Sequence, residues 1–180
     1  MKIFAFWEPQ HSIPGYISLC IKTWEKYLPD FTIELFDYKS LGTLLTNEEK
    51  ALYTCKQLTL PKQSDAYRCA LLLKYGGIWM DADTIITPAF QTDYYCKGEC
   101  CCIGNTRTSF INGAYFYASH AETSFVHDWQ VELIEHLQLY RKFLIWKPVI
   151  KLFNRARWKV VNGWDWCLNS IIDPLSKKYK

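Results

Sequence analysis

One stretch in the middle of the chain constrains the fold more than any other, because it predicts a helix, a glycine turn and a strand in direct succession. Ser64 and Asp65 favour the first positions of a helix, and an apolar stripe predicts that helix over residues 66–75. Gly76, with a second glycine after it, can adopt the positive φ that ends a helix. Residues 78–80 are apolar and predict a short buried strand.

Two carboxylates, Asp81 and Asp83, follow the predicted strand. Residues two apart in extended backbone point to the same side, so we expect both side chains to project together from the strand end. Mg²⁺ and Mn²⁺ bind such hard oxygen ligands and keep other positions for water and phosphate. The pattern therefore points to a divalent metal that holds a diphosphate substrate.

The N-terminal part of the chain predicts a mostly parallel α/β sheet. Residues 3–7 and 33–36 predict two strands, and apolar residues recur at helical spacing between them after Pro14. A strand, a crossover helix and a second strand are typical of a parallel sheet flanked by helices. Nucleotides bind at the carboxyl ends of the strands in such sheets.

The later elements are less regular. Thr46 and Glu49 predict a capping box and a short helix, whereas residues 90–104 are predicted to be irregular. Residues 110–118 predict either a strand pair or one strand and a turn, because they contain Asn112 followed by glycine.

A long helix is predicted after the sheet, capped by Ser119 with Glu122 and ended by Pro148. Residues 144–166 are basic and rich in Trp. They could make a peripheral contact with an anionic membrane, or equally cover the sheet as a helix.

Composition predicts one domain over residues 1–180, because 180 residues that are 49% hydrophobic can bury a sizeable core. A net charge of +3 is too small to indicate nucleic acid as a partner. No run approaches the ~18 apolar residues of a membrane span, and no export signal is evident. A reduced, cytoplasmic protein is predicted, and the spacing of Cys96 and residues 100–102 favours free thiols over a zinc site.

The string S-D-x-x-R-x-x-x-L-x-x-x-G-G-x-W-x-D-x-D over residues 64–83 resembles the signature of the DxD-type sugar-binding glycosyltransferases related to capsular polysaccharide synthesis proteins. The resemblance extends over residues 1–118, including the opening Phe-Ala-Phe-Trp. It implies a GT-A-like fold with a nucleotide-sugar-binding core over 1–118. Residues 119–180 would form a helical, acceptor-side region that is short or truncated for the family.

The resemblance also implies a metal-dependent transferase of the hexosyltransferase type, retaining in mechanism. A peripheral contact through residues 144–166 would place it at the inner face of the membrane. Its donor would be a UDP- or GDP-sugar, its cofactor Mn²⁺ or Mg²⁺, and its acceptor a glycan or a lipid-linked precursor. Capsular or other surface polysaccharide would be the product.

Residue roles follow from the same resemblance. Phe6 and Trp7 would border the base, while Asp65 and Arg68 would contact the nucleotide or the donor sugar. Asp81 would touch ribose or sugar.

Asp83 would hold the metal on the diphosphate, with Asp81 as the second candidate ligand. The residues themselves leave open whether Arg68 grips phosphate, holds Asp65 and Asp81 in place, or forms a surface ion pair with Asp65.

Other polar residues are candidates for sugar contacts. Ser64 could present its hydroxyl to the sugar or act as a helix cap, and Asn112 could serve donor or acceptor. Trp164 and Asp165 could contact the acceptor. Family members carry a later His or aromatic stretch that completes the site, whereas no His follows His136 here.

Two other functions fit parts of the sequence. Residues 80–84 also satisfy the D-x-D-x-T pattern of haloacid-dehalogenase-like phosphatases, in which Asp81 would be the nucleophile. That family carries its motif on the first strand, however. The short C-terminal region would also suit a nucleotide-sugar-binding protein with weak catalysis.

Overall fold

The computed structural model describes residues 1–105, 110–153 and 168–179, with the backbone alone for 104–105, 110–112 and 146–153. Five strands form one sheet in the order β2-β1-β3-β5-β4: β1 (Lys2–Phe6), β2 (Thr32–Phe36), β3 (Gly77–Met80), β4 (Cys100–Asn105) and β5 (Phe110–Ala118). Strands β2, β1 and β3 are parallel, whereas β5 is antiparallel to both β3 and β4. Four strands therefore run in one direction, which confirms the predicted mostly parallel α/β fold.

Helices flank this sheet on both sides. In the described part of the chain they are α1 (Gly15–Tyr27), α2 (Leu41–Leu44), α3 (Asn47–Tyr53), α4 (Leu60–Tyr75), α5 (Thr92–Tyr95), α6 (Ser124–Phe153) and α7 (Asn169–Lys178). The predicted capping box of α3 is present, because Thr46 Oγ1 accepts from the Glu49 N–H at 3.2 Å and the Glu49 carboxylate accepts from the Thr46 N–H at 2.7 Å.

Alternation along the strands builds a core on each face of the sheet. Trp79 packs into the core under α4 and α6, whereas its neighbours Ile78 and Met80 pack into the core under α1. The same period separates the cysteines of β4, since Cys100 and Cys102 pack towards the first core and Cys101 towards the second. The thiols therefore do not converge on one point, which agrees with the free-thiol interpretation.

Helix α4 begins earlier than the sequence predicted. It starts at Leu60, after Thr59 in extended backbone, and carries Pro61 in its first turn. Proline favours that position because it lacks the N–H that would have no partner there. Ser64 and Asp65 consequently lie inside the helix, and the prediction that they start or cap it is wrong. The predicted end is confirmed, since Gly76 has φ +64°.

The region of residues 90–118 is more regular than predicted. It contains α5 and β4, and β5 continues straight through Asn112 and Gly113 without a turn. The β4–β5 register shifts between Cys102, opposite Phe116, and Ile103, opposite Asn112. The pairing register therefore passes over residues 113–115 of β5, and the strand continues through this irregularity.

The long helix α6 begins at Ser124, five residues after the predicted cap. Glu122 cannot start it because its φ is +58°, and its N–H donates to the Leu73 carbonyl oxygen at 2.8 Å. The helix also continues through Pro148 to Phe153, so the predicted end is wrong. A proline removes one backbone hydrogen bond, which does not end a helix of 30 residues. No helix among the described residues is long and apolar enough to cross a membrane.

Candidate active site

A cleft of about 560 Å³ opens at the carboxyl ends of β1 and β3. Its walls are these strand ends, one face of α4, the irregular part of β5 and the start of α7. Seven residues predicted from the sequence line it: Phe6, Trp7, Ser64, Asp65, Arg68, Asp81 and Asp83. The fold therefore brings most of the candidate residues together, at the edge of the sheet where parallel strands bind nucleotides.

Arg68 is the buried centre of this cleft. Its side chain is 3% exposed, and its Nη2 donates to Asp81 Oδ1 at 2.9 Å. Its Nη1 lies 3.4 Å from Asp65 Oδ1, one helical turn earlier on α4. Asp65 is 12% exposed, so this pair is buried, and the surface-pair interpretation is wrong. The arrangement favours the interpretation in which Arg68 holds Asp65 and Asp81.

Two aromatic rings fix the guanidinium from the core side. The Arg68 Cζ lies 5.1 Å from the Trp79 ring centroid and 5.8 Å from that of Phe116. Cation–π attraction compensates part of the cost of removing the charge from water. The Arg68 Nε and Nη1 atoms are buried and make no hydrogen bond within the described part of the chain.

Asp81 is held by three contacts of its own. Its Oδ1 accepts from the Trp79 indole Nε1 at 2.9 Å as well as from Arg68, and its N–H donates to the Ala114 carbonyl oxygen at 3.0 Å. The last bond extends the β3–β5 ladder one residue beyond the strand. Asp81 thus has a fixed backbone and one fixed oxygen, while 36% of its side chain stays exposed to the cleft.

Asp83 lies in a turn, so the prediction of extended backbone through both carboxylates is wrong. The Thr84 N–H donates to the Asp81 carbonyl oxygen at 2.9 Å, which closes the chain back on itself. The turn is held from α1, because the Trp24 Nε1 donates to the Thr84 carbonyl oxygen at 2.7 Å and Thr23 Oγ1 accepts from the Ile86 N–H at 2.9 Å. Asp83 is exposed in the cleft and makes no hydrogen bond with the described residues.

The aromatic wall of the cleft continues into the core. The Phe6 ring contacts the rings of Phe36, Tyr38 and Tyr67 at centroid distances of 5.4 to 5.5 Å, so Phe6 serves the core as well as the cleft. Burial raises the pKa of Tyr67 to about 12, so its phenol stays protonated and donates to Gln63 Oε1.

Trp7 and Glu8 extend the wall towards solvent. The Trp7 ring is partly exposed and meets the Tyr16 ring edge-on at 6.3 Å. One oxygen of Glu8 is fixed, because Oε2 accepts from the Tyr38 N–H at 2.9 Å.

Three candidates are placed less fully. Asn112 lies in β5 opposite Ile103, with its backbone alone described. Trp164 and Asp165 lie outside the described residues. The proposed membrane segment 144–166 is described to residue 153, where its backbone continues α6.

Eight further residues line the cleft that sequence reasoning did not select: Glu8, Leu60, Pro61, Ala82, Gly113, Ala114, Leu168 and Asn169. Glu8 had a signal, since it is acidic and directly follows the first strand. Leu60 and Pro61 were missed because the start of α4 was placed too late. Leu168 and Asn169 reach the cleft through tertiary packing, for which the sequence carries no local signal.

Two carboxylates of the cleft are oxygen ligands of the kind that Mg²⁺ and Mn²⁺ prefer. Asp83 presents an exposed carboxylate, and Asp81 keeps Oδ2 clear of hydrogen bonds to described residues. Among the described residues no three His, Cys, Asp or Glu side chains form a metal-binding group. Mg²⁺-type ions bind through one or two carboxylates plus water and phosphate, so the donor set fits a metal held jointly with a substrate.

The chain is similar to known proteins in sequence and in fold. Residues 1–153 match the model of a family described as capsular polysaccharide synthesis protein, which confirms the resemblance inferred from the sequence. The fold is similar to a solved structure titled "PaToxG Glycosyltransferase", with a TM-score of 0.59 and 14% identity over 99% of this chain and 68% of that chain. No curated protein matches the chain.

Proposed function

The chain belongs to the capsular polysaccharide synthesis protein family, and from that premise we propose that it is a metal-dependent glycosyltransferase. It would transfer a sugar from a nucleoside diphosphate sugar to a polysaccharide or lipid-linked acceptor. The observation that carries the proposal is the cleft that gathers Asp83, Asp81 and the buried Arg68 at the carboxyl ends of β1 and β3.

Asp83 is the proposed principal metal ligand, with Asp81 Oδ2 as the second. When bound, a divalent ion neutralises the negative charge that develops on the leaving diphosphate. Asp83 suits this role because its carboxylate is exposed in the cleft and has no partner to release among the described residues.

Asp81 and Asp65 are the proposed contacts to the donor hydroxyls. Ionised carboxylates only accept hydrogen bonds, and sugar and ribose hydroxyls supply the donors. Arg68 orients both carboxylates through the contacts at 2.9 and 3.4 Å. Its role is therefore to prepare the site, rather than to grip phosphate at the surface.

The base is proposed to lie against Phe6 and Trp7. The exposed part of the Trp7 ring supplies an apolar face, and Glu8 offers a carboxylate oxygen beside it. Ser64, on the same face of α4 as Arg68, is the proposed contact to a sugar hydroxyl.

For the transfer step we propose retention of configuration with a hexosyl donor, as in the family. The acceptor oxygen forms the new bond to the anomeric carbon, the bond from that carbon to the diphosphate oxygen breaks, and the acceptor proton passes to the leaving phosphate. Asn112, Trp164 and Asp165 remain the proposed acceptor-side contacts, and 144–166 the proposed contact with the inner membrane face.

The phosphatase alternative has less support. Asp81 follows β3, the central strand of the sheet, whereas that family carries its motif on the first strand.

A thermal-shift panel tests the proposal. The protein is heated with UDP, GDP, CDP and their sugars, each with Mn²⁺ and with chelator. We expect one nucleotide class to raise the melting temperature only with metal present, because a ligand that binds the folded state alone stabilises it. Asp83→Asn should abolish the metal-dependent rise in melting temperature and leave the melting temperature of the ligand-free protein unchanged.

Asp30→Asn is the matched control, because Asp30 is exposed in the loop that precedes β2, away from the cleft. Metal dependence that survives Asp83→Asn would remove Asp83 as the ligand. Phosphate release from a small phosphoester, with no response to nucleotides, would instead support the phosphatase. Donor binding without transfer to any acceptor would support the nucleotide-sugar-binding protein.

A further inference from the structure

Gly113 lies where β5 passes the buried arginine of the cleft. It belongs to the three residues of β5, 113–115, that fall inside the register shift with β4. Its φ is outside the left-handed region, which among the described glycines holds Gly76, Gly77 and Gly98. Backbone conformation therefore does not explain the glycine, and glycine inside a strand weakens it.

The close packing of atoms around position 113 explains why this residue is a glycine. A Cβ atom placed on Gly113 would lie 2.5 Å from Arg68 Nη1 and would also overlap Leu168 Cδ2. Carbon and nitrogen atoms that are not bonded do not approach so closely, so any side chain at this position requires the guanidinium or the β5 backbone beside it to shift.

Arg68 has little room for such a shift. Its guanidinium lies against the Trp79 and Phe116 rings, with Asp65 and Asp81 at its two ends, and its side chain is 3% exposed. Close-packed interiors transmit a displacement to their neighbours. A side chain at 113 would thus act on the bond from Arg68 Nη2 to Asp81 Oδ1.

We propose that Gly113 is a positioning residue, which leaves the space that lets Arg68 orient Asp81 in the cleft. The expected effect of Gly113 on donor binding rests on the proposed function. The substitution of this glycine should weaken donor binding although Gly113 itself offers no group to a ligand other than its backbone.

The first test monitors the position of the Asp81 carboxylate in the absence of any donor. The Trp79 indole N–H donates to Asp81 Oδ1, so its assigned ¹H–¹⁵N resonance reports the position of that carboxylate. We expect Gly113→Ala to move this resonance away from its wild-type position. Gly15→Ala is the matched control, because a Cβ at Gly15 meets no atom within 4 Å. An unchanged Trp79 resonance in Gly113→Ala would overturn the proposal.

The second test separates the two overlaps. Gly113→Ala combined with Leu168→Ala removes the clash with leucine and leaves the overlap with Arg68 in place. The Trp79 resonance should remain displaced in this pair. Recovery of the wild-type position would show that the glycine serves Leu168 rather than Arg68, which would overturn the proposal.

The third test measures donor affinity by calorimetry with the nucleotide sugar and Mn²⁺ identified in the panel. Gly113→Ala should bind about tenfold more weakly, the scale of one lost charge-assisted hydrogen bond. Lysine has no Nη1 to clash, so Gly113→Ala should cost little further affinity in an Arg68→Lys background. Additive losses would overturn the proposed route through Arg68.

The outcomes for the two proposals are distinct. If the wild-type protein binds no nucleotide sugar, the proposed function fails, while the Trp79 resonance still decides whether Gly113 positions Asp81. If the wild type binds a donor and Gly113→Ala binds it equally well, the positioning role fails and the proposed function stands.

Discussion

Helices α1 and α4 pack on opposite faces of the same sheet, yet they use their buried positions differently. Helix α1 buries Ile17, Cys20 and Trp24 and keeps its charged residues exposed. Helix α4 buries ten residues, and four of them are polar or charged: Lys62, Gln63, Asp65 and Arg68.

The difference shows where stability and function reside. Buried apolar side chains stabilise a fold, whereas a buried charge is costly unless it is paired. Replacing a buried ion pair by apolar residues is often neutral or stabilising. The buried Asp65 and Arg68 of α4 are therefore poorly explained by stability alone, and their place in the cleft explains them better.

The largest expected effect comes from removing the charge inside α4. Arg68→Met keeps most of the side-chain volume but leaves Asp65 and Asp81 without their cation. We expect the free energy of unfolding to fall by about 3 kcal/mol, the lower end for a broken buried pair because Asp81 is partly exposed. Donor binding should be lost.

Urea denaturation and calorimetry measure the two effects. Lys26→Met on α1 is the control, since this exposed lysine should change stability by no more than about 0.5 kcal/mol. Equal effects of the two substitutions would remove the contrast between the helices.

The next effect concerns the core under α1. Trp24→Phe removes volume from a fully buried site and the hydrogen bond to the Thr84 carbonyl oxygen. We expect a loss of about 2 kcal/mol of unfolding free energy, with donor affinity of the folded protein reduced less than about threefold. A much larger loss of affinity would place α1 in the site itself.

The smallest expected effect concerns the hydrogen bond that joins α1 to the turn that carries Asp83. Thr23→Val leaves the Ile86 N–H without its acceptor, which should cost about 1 kcal/mol. Thr23→Ser keeps the hydroxyl and should retain most of that stability, as followed by thermal denaturation. If serine and valine behave alike, the hydroxyl does not hold the turn.

The sequence predicts elements whose signals are local. Apolar periodicity located β1, β2, β3 and α1, and the capping box at Thr46 and the glycines at 76 and 77 gave correct boundaries. The cleft could be anticipated because β1 and β3 end beside each other with Trp7 and Asp81 at their tips.

Features that depend on distant contacts could not be predicted. The turn at Asp83 is fixed by the side chains of Thr23 and Trp24, some sixty residues away. The sequence predicted a turn at Gly113 because its contact with Arg68, a residue distant in sequence, leaves no signal in the neighbouring residues. The buried state of Arg68 likewise follows from the rings of Trp79 and Phe116 rather than from its own helix.

The two cleft carboxylates also differ in how freely they move. Asp81 has its backbone in the sheet ladder and one oxygen held by two donors, whereas Asp83 projects from a turn into solvent. Exposed side chains change rotamer within picoseconds to nanoseconds, while such a bonded carboxylate is confined. In the free protein the Asp81 carboxylate is therefore fixed, whereas the Asp83 side chain can change its orientation. In its proposed role as metal ligand, Asp83 can then adjust to the position of the metal without any rearrangement of the sheet.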